Sequence, residues 1–142
     1  MAAGAASNES RFLQPSASRK RALVVDENPG DLRGCVEALA RKGFDVSACS
    51  SFDEGTRRLE ATPFDLIILS QGTVAFEGRP LLERCVEIDR RVPVFVVTPR
   101  VDMRCYLDAM QLGARDYVEK PLSSEQLLKM VMSLCPPPAN AA

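Results

Sequence analysis

The sequence predicts an α/β fold, a doubly wound five-stranded parallel sheet with five helices, and three observations carry the prediction. The first is Phe64-Asp65-Leu66-Ile67-Ile68-Leu69-Ser70, in which four aliphatic residues follow one another between charged and turn-forming neighbours. Such a run reads as a strand covered on both faces, the centre of a parallel sheet. The second is strict alternation: five short strand-like runs are each followed by a segment with apolar residues at three- and four-residue spacing. The third is punctuation, because Gly43, Pro63, Gly113 and Pro136 fall where those helical patterns stop. Right-handed crossovers then place all the strands in one sheet.

Taken in order, Ala22-Leu23-Val24-Val25 is the first buried strand, and it runs into an acidic turn, Asp26-Glu27-Asn28-Pro29-Gly30. Leu32, Cys35, Val36, Leu39 and Ala40 line one face of a helix closed by Gly43. Phe44 to Ala48 alternates as a second strand, near an edge. Ser51-Phe52-Asp53-Glu54 is a capping box that opens a helix through Leu59 and Glu60, and Pro63 stops it. After Ser70 a loop, Gln71 to Gly78, leads to Pro80, a good first-turn residue. The helix there is expected to bury Leu81, Leu82, Cys85 and Ile88.

Pro93-Val94-Phe95-Val96-Val97 forms the fourth strand and ends at Thr98. A helix carrying Tyr106, Ala109 and Met110 ends at Leu112-Gly113. Asp116-Tyr117-Val118 is the fifth strand, ending at Glu119-Lys120-Pro121. A second capping box, Ser123-Ser124-Glu125-Gln126, starts a helix that packs through Leu127, Leu128, Val131 and Leu134. Residues 1–19 and 136–142 read as flexible tails around one domain at 20–135, with Phe12 and Leu13 a weak docking point at most.

Composition narrows the function classes. A chain of 142 residues holds one domain with a proper core. The net charge of −1 has no basic face behind it, so no nucleic-acid partner is expected, and Arg19-Lys20-Arg21 reads as a solvated flank. Five cysteines without a CxxC pair, in a chain with no histidine, argue against structural zinc. Cys35, Cys85 and Cys105 sit in helical patterns, so buried free thiols are expected, which suits a reducing cytoplasm. The apolar runs are strand-sized and the N-terminus lacks a signal-peptide pattern, so no membrane partner is expected either.

In a parallel sheet the ligand crevice lies at the carboxyl ends of the strands. That edge collects Asp26 and Glu27, Ser70, Thr98, and Lys120 with Pro121. All of these suit a phosphate-and-metal site except the residue in the middle.

From Lys20 to Leu134 the chain resembles the receiver domain of bacterial two-component response regulators, a flavodoxin-like (CheY-like) three-layer fold with strand order 2-1-3-4-5. The resemblance is carried by Leu23-Val24-Val25-Asp26-Glu27, by Asp65-Leu66-Ile67-Ile68-Leu69, by Thr98, and by the run from Ala109 to Pro121. Gly78, eight residues after Ser70, matches the family's loop glycine without a gap. The resemblance implies Asp26 and Glu27 as an acidic pair, Thr98 as the switch hydroxyl, Tyr117 as the switch aromatic and Lys120 as the phosphate-sensing lysine. It implies a loop carbonyl near Gly72 as a further magnesium ligand. It implies a phospho-acceptor aspartate where this chain has Ser70.

A carboxylate is ionised at neutral pH, attacks phosphorus and binds magnesium; a serine hydroxyl needs a base to become a nucleophile. The loop departs further, with Thr73 and Val74 where the family has methionine and proline. A weakly held, hydrated magnesium ion or none is therefore expected, and Lys120 is expected to turn to Asp26 or to Ser70.

The leading expectation is a non-enzymatic, phosphorylation-independent pseudo-receiver in the cytoplasm. It would act on other signalling proteins, or on a second copy of itself, through the face formed by helix 4, strand 5 and helix 5. A second reading moves the trigger to Ser/Thr phosphorylation at Ser70 or Thr98, or to another carboxylate, Asp26 first. A third, a flavodoxin-like cofactor-binding protein, is disfavoured because Asp26, Glu27 and Asp31 repel a cofactor phosphate.

Overall fold

The computed structural model describes residues 19–134. The expectations for both tails, for Cys135 and for the side chain of Leu134 lie outside the described residues.

Ten elements alternate without exception. They are β1 (Arg21–Val25), α1 (Pro29–Arg41), β2 (Asp45–Cys49), α2 (Phe52–Ala61), β3 (Leu66–Ser70), α3 (Arg79–Ile88), β4 (Val94–Thr98), α4 (Met103–Leu112), β5 (Asp116–Glu119) and α5 (Ser124–Leu134). The strands form one parallel sheet in the order β2-β1-β3-β4-β5. β2 is an edge, and β3 lies at the centre between β1 and β4.

Alternation along the strands divides the core in two. Leu23, Val25, Ile67, Leu69, Val94 and Val96 point to the face covered by Leu59, Leu81, Leu82, Cys85, Cys105 and Ala109 of α2, α3 and α4. Ala22, Val24, Leu66, Ile68, Phe95 and Val97 point to the other face, under Ala38, Leu39, Leu127 and Val131 of α1 and α5. Every residue of β3 and β4 is buried, and this two-sided cover explains why these strands read as unbroken apolar runs.

Local signals set the helix ends. Asn28 accepts the Asp31 N–H at 2.9 Å and caps α1. Ser123 and Gln126 close a full capping box: the Ser123 hydroxyl accepts from Gln126 N–H and the Gln126 amide oxygen accepts from Ser123 N–H, both at 3.0 Å. At α2 the box is displaced. Ser51 accepts the Glu54 N–H at 3.1 Å, but the Glu54 carboxylate returns to the N–H of Ser50.

Three side chains differ from the expected packing. Ile88 is 45% exposed rather than buried, since α3 ends there and in its last turn Cys85 and Val86, not Ile88, face the core. On α1 the buried alanine is Ala38, and Ala40 is exposed. Cys35 is only partly buried, whereas Cys49, Cys85 and Cys105 are buried; all four are free thiols. No described helix is long and apolar enough to cross a membrane.

Candidate functional site

The carboxyl ends of β1, β3 and β4 bring four buried polar residues to one edge: Asp26, Ser70, Gln71 and Thr98. Lys120 follows β5 directly and reaches across the edge. Its Nζ lies 2.8 Å from Asp26 Oδ2 and 2.9 Å from Asp31 Oδ2, the latter on the first turn of α1. Burial pulls the Lys120 ammonium down, but the hydrogen bonds from Asp26 and Asp31 outweigh it and leave the group raised above its ordinary value. Asp26 is fixed from its other oxygen as well, since Oδ1 accepts the Asn28 N–H at 3.0 Å. Glu27, the second acid of the pair, is exposed.

Ser70 is 2% exposed, and its Oγ accepts the Gly72 N–H at 3.1 Å. The turn needs a special backbone here. Gly72 has φ +87°, and a Cβ built on it would lie 2.4 Å from Glu77 Oε1. Glu77 staples the loop by accepting from both the N–H and the hydroxyl of Thr73, and these bonds hold its carboxyl below the usual range. Phe76, buried at the loop's inner side, takes φ +58°, an uncommon conformation for a bulky residue. Gly78 comes close to the strand end: a Cβ there would stand 2.3 Å from the Ser70 carbonyl oxygen.

Thr98 is 1% exposed and its hydroxyl is spent locally, donating to the Arg100 carbonyl at 2.9 Å and accepting the Arg100 N–H at 3.2 Å. Tyr117 is 8% exposed and lies inward. Its hydroxyl donates to Gln71 Oε1 and accepts the Asp102 N–H at 3.2 Å. Burial raises the phenol above its ordinary value. The Tyr106 ring stands edge-on to it, centroids 5.6 Å apart. Pro121 is exposed and follows a cis peptide bond.

The structure thus brings together Asp26, Ser70, Thr98, Tyr117 and Lys120, and leaves Glu27 and Pro121 on the surface. It adds Asp31 and Gln71, which the sequence reading did not single out as site residues. Between α1 and α5, a cavity of about 220 Å³ adjoins the edge, lined by Val24, Asp26, Cys35, Ile68, Lys120 and Leu127 among others. Although Cys35 as a residue is only partly buried, its thiol is turned away from water, and this desolvation pushes it up to about 12, with the Asp26 carboxylate adding to the effect, so it stays protonated at neutral pH.

The donor set does not fit the magnesium ion that the resemblance implies. Both Asp26 oxygens are engaged, Ser70 contributes no charge, and a dication at this edge would have to displace the Lys120 ammonium. No group of three His, Cys, Asp or Glu side chains is arranged to hold a metal among the described residues.

Comparison with known proteins defines the class. The family model of the response regulator receiver domain matches residues 22–132, and the chain belongs to that family. It is 32% identical over 114 residues, 79% of its length, to hybrid signal transduction histidine kinase D of Dictyostelium discoideum, covering 7% of that protein. It is 28% identical over 103 residues to transcriptional regulatory protein QseB of Escherichia coli O157:H7, covering 72% of this chain and 47% of that one. A CheY-like receiver domain from Methanospirillum hungatei superposes with a TM-score of 0.77 at 25% identity, covering 82% of this chain and 93% of the other. The chain spans about half the length, or far less, of the curated relatives it matches.

Proposed function

We propose that this receiver works without aspartyl phosphorylation, as a non-enzymatic module that signals by protein–protein contact. One observation carries the reading: β3 ends, at the sheet edge that also carries Asp26, Thr98 and Lys120, in Ser70, a buried neutral hydroxyl already bonded to the Gly72 N–H. In this reading Ser70 stands at the phospho-acceptor position. Asp26, the nearby carboxylate in position to act as base or substitute acceptor, is paired with Lys120 at 2.8 Å. Burial of Ser70 and Thr98 at 2% and 1% exposure speaks against their modification by a Ser/Thr kinase in the folded domain.

Partners follow from the class. Its relatives are named as a hybrid histidine kinase and transcriptional regulatory proteins, so we place this chain among signalling proteins. The contact face we assign is α4, β5 and α5, used toward such a protein or a second copy. Exposed Met103 and Leu107, with Tyr106 beside them, supply apolar anchors on α4.

The test is incubation with acetyl phosphate and magnesium followed by intact mass, with Ser70→Asp run in parallel. The wild type is expected to gain no phosphoryl group. Ser70→Asp is expected to gain one, provided the new carboxylate draws Lys120 and a cation to itself. A labile phosphoryl group on the wild type would overturn the proposal.

A further inference from the structure

We infer that Gln71 is a positioning residue: it holds the Tyr117 ring in its inward pose without help from a phosphoryl group. This deepens the reading of a phosphorylation-independent receiver and rests on it for its signalling meaning, though not for its geometry.

Gln71 is 1% exposed, directly after Ser70, and it ties five parts of the molecule together. Its N–H donates to the Val97 carbonyl at 2.8 Å and its carbonyl accepts the Gly78 N–H at 3.1 Å, which fixes its backbone to β4 and to the start of α3. Its side-chain Nε2 donates to the Thr73 carbonyl at 3.0 Å, and its Oε1 accepts from the Tyr117 hydroxyl of β5. The orientation of the amide is determined by this pair of partners. A flipped amide would face its oxygen toward the Thr73 carbonyl, setting two acceptors against each other.

The Tyr117 hydroxyl, for its part, has its one proton on Gln71 and a lone pair on the Asp102 N–H. Moving the ring outward would strand a buried amide oxygen and the loop that holds it, and unmade buried hydrogen bonds are costly. Thr98, the hydroxyl that would couple the strand ends in a switching receiver, exchanges hydrogen bonds with Arg100 and also lies beside the Tyr117 hydroxyl as a polar neighbour. The anchor reaching the ring from the β3 end is the neutral bond from the Tyr117 hydroxyl to Gln71 Oε1, and it needs no phosphoryl group. Tyr106, stacked edge-on against the same ring, passes that fixed position to the exposed face of α4.

The chain has two tyrosines and no tryptophan, so Tyr106→Phe makes Tyr117 the sole ultraviolet and fluorescence reporter. In that background, acrylamide quenching of Tyr117 should be slow and its phenol should titrate above free tyrosine. Gln71→Met, which keeps the length but removes the acceptor, should lose this protection. Gln71→Glu restores the acceptor oxygen but can donate to the Thr73 carbonyl only when its carboxyl is protonated, so it should regain protection at mildly acidic pH and lose it as the carboxyl ionises; a purely structural role for residue 71 would not give this pH-dependent rescue. Protection that persists in Gln71→Met overturns the inference.

Should Gln71→Met fail to fold, the wild type still decides. The Gln71 side-chain amide protons should exchange slowly, and fast exchange in the native protein would be equally fatal. The two proposals fail separately. A phosphorylated wild type with Tyr117 still protected removes the earlier reading alone, and an unphosphorylated wild type with a freely quenched Tyr117 removes the latch alone.

Discussion

Lys120 places one positive charge between two carboxylates of very different exposure, and that difference decides what each pair contributes. The Asp26 side chain is 6% exposed and Lys120 is 14% exposed, whereas Asp31 is 47% exposed. Removing one member of a buried pair leaves an uncompensated charge, while an exposed pair is screened by water. Lys120→Met should therefore lower stability by about 3 kcal/mol or more, because Asp26 keeps only the Asn28 N–H. Asp31→Asn should cost less than about 1 kcal/mol. Urea unfolding of the two variants gives the comparison, and equal losses would show that Asp26 is better solvated than its geometry indicates. Which residues gather here was partly legible in the sequence: strand ends identify Asp26, Ser70, Thr98 and Lys120. Asp31 was legible only as a further acid near the loop, because it sits one turn into α1 and not at a strand end, and its bond to Lys120 forms only in the packed fold. Gln71 was not, because a polar residue at the start of a loop reads as solvated until the loop is seen to fold over it.

At the scale of elements, sequence signals held where they depend on near neighbours and slipped where a tertiary surface decides. The Ser123–Gln126 box closes within four residues and forms in full. Periodicity on α1 and α3 located the buried faces but not their edges, and Ala40 and Ile88 lie just outside them: beside Ala38 and Leu39 on α1, and beside Cys85 and Val86 on α3, which take the core positions. The connection from β3 to α3 is the element most sensitive to change. It turns within eight residues, from Ser70 to Gly78, and brings α3 back so closely that the Ser70 carbonyl occupies the space of a Gly78 Cβ. Gly78 has φ −76°, an ordinary value for any residue, so Gly78→Ala isolates the steric effect. It should cost about 2 kcal/mol through forced displacement of the strand end. It should also shift the backbone amide signals of Ser70 to Gly72 in an NMR spectrum. A silent substitution would mean that the loop accommodates a methyl group without moving the site.

For the whole molecule, the groups that hold their protons more tightly in the fold set how stability depends on pH. Burial pushes the Cys35 and Cys85 thiols up to about 12 from an ordinary 9.0, and it also raises Cys49, Cys105 and Tyr117. Lys120 is raised by its two carboxylates against the pull of burial. A group whose folded value is raised contributes its full stability below the unfolded value and loses it as pH climbs toward the folded one. For the two thiols that window opens near 9 and closes near 12. Within it the unfolded chain sheds protons that the folded chain keeps, so each thiol should subtract ~1.4 kcal/mol per pH unit. Tyr117 and Lys120 add their own losses above about 10. Under reducing conditions the urea midpoint should therefore stay level from pH 7 to 8.5 and fall steeply by pH 10.5. Cys35→Ala and Cys85→Ala should each flatten that fall, even though Cys85→Ala starts from a lower midpoint because it opens a gap beneath α3. Slope and starting point are thus separable in one series of measurements. A fall as steep in both variants as in the wild type would assign the alkaline loss to Cys49, Cys105, Lys120 and Tyr117, and Cys35 and Cys85 would then be titrating in the folded protein much as they do in the open chain.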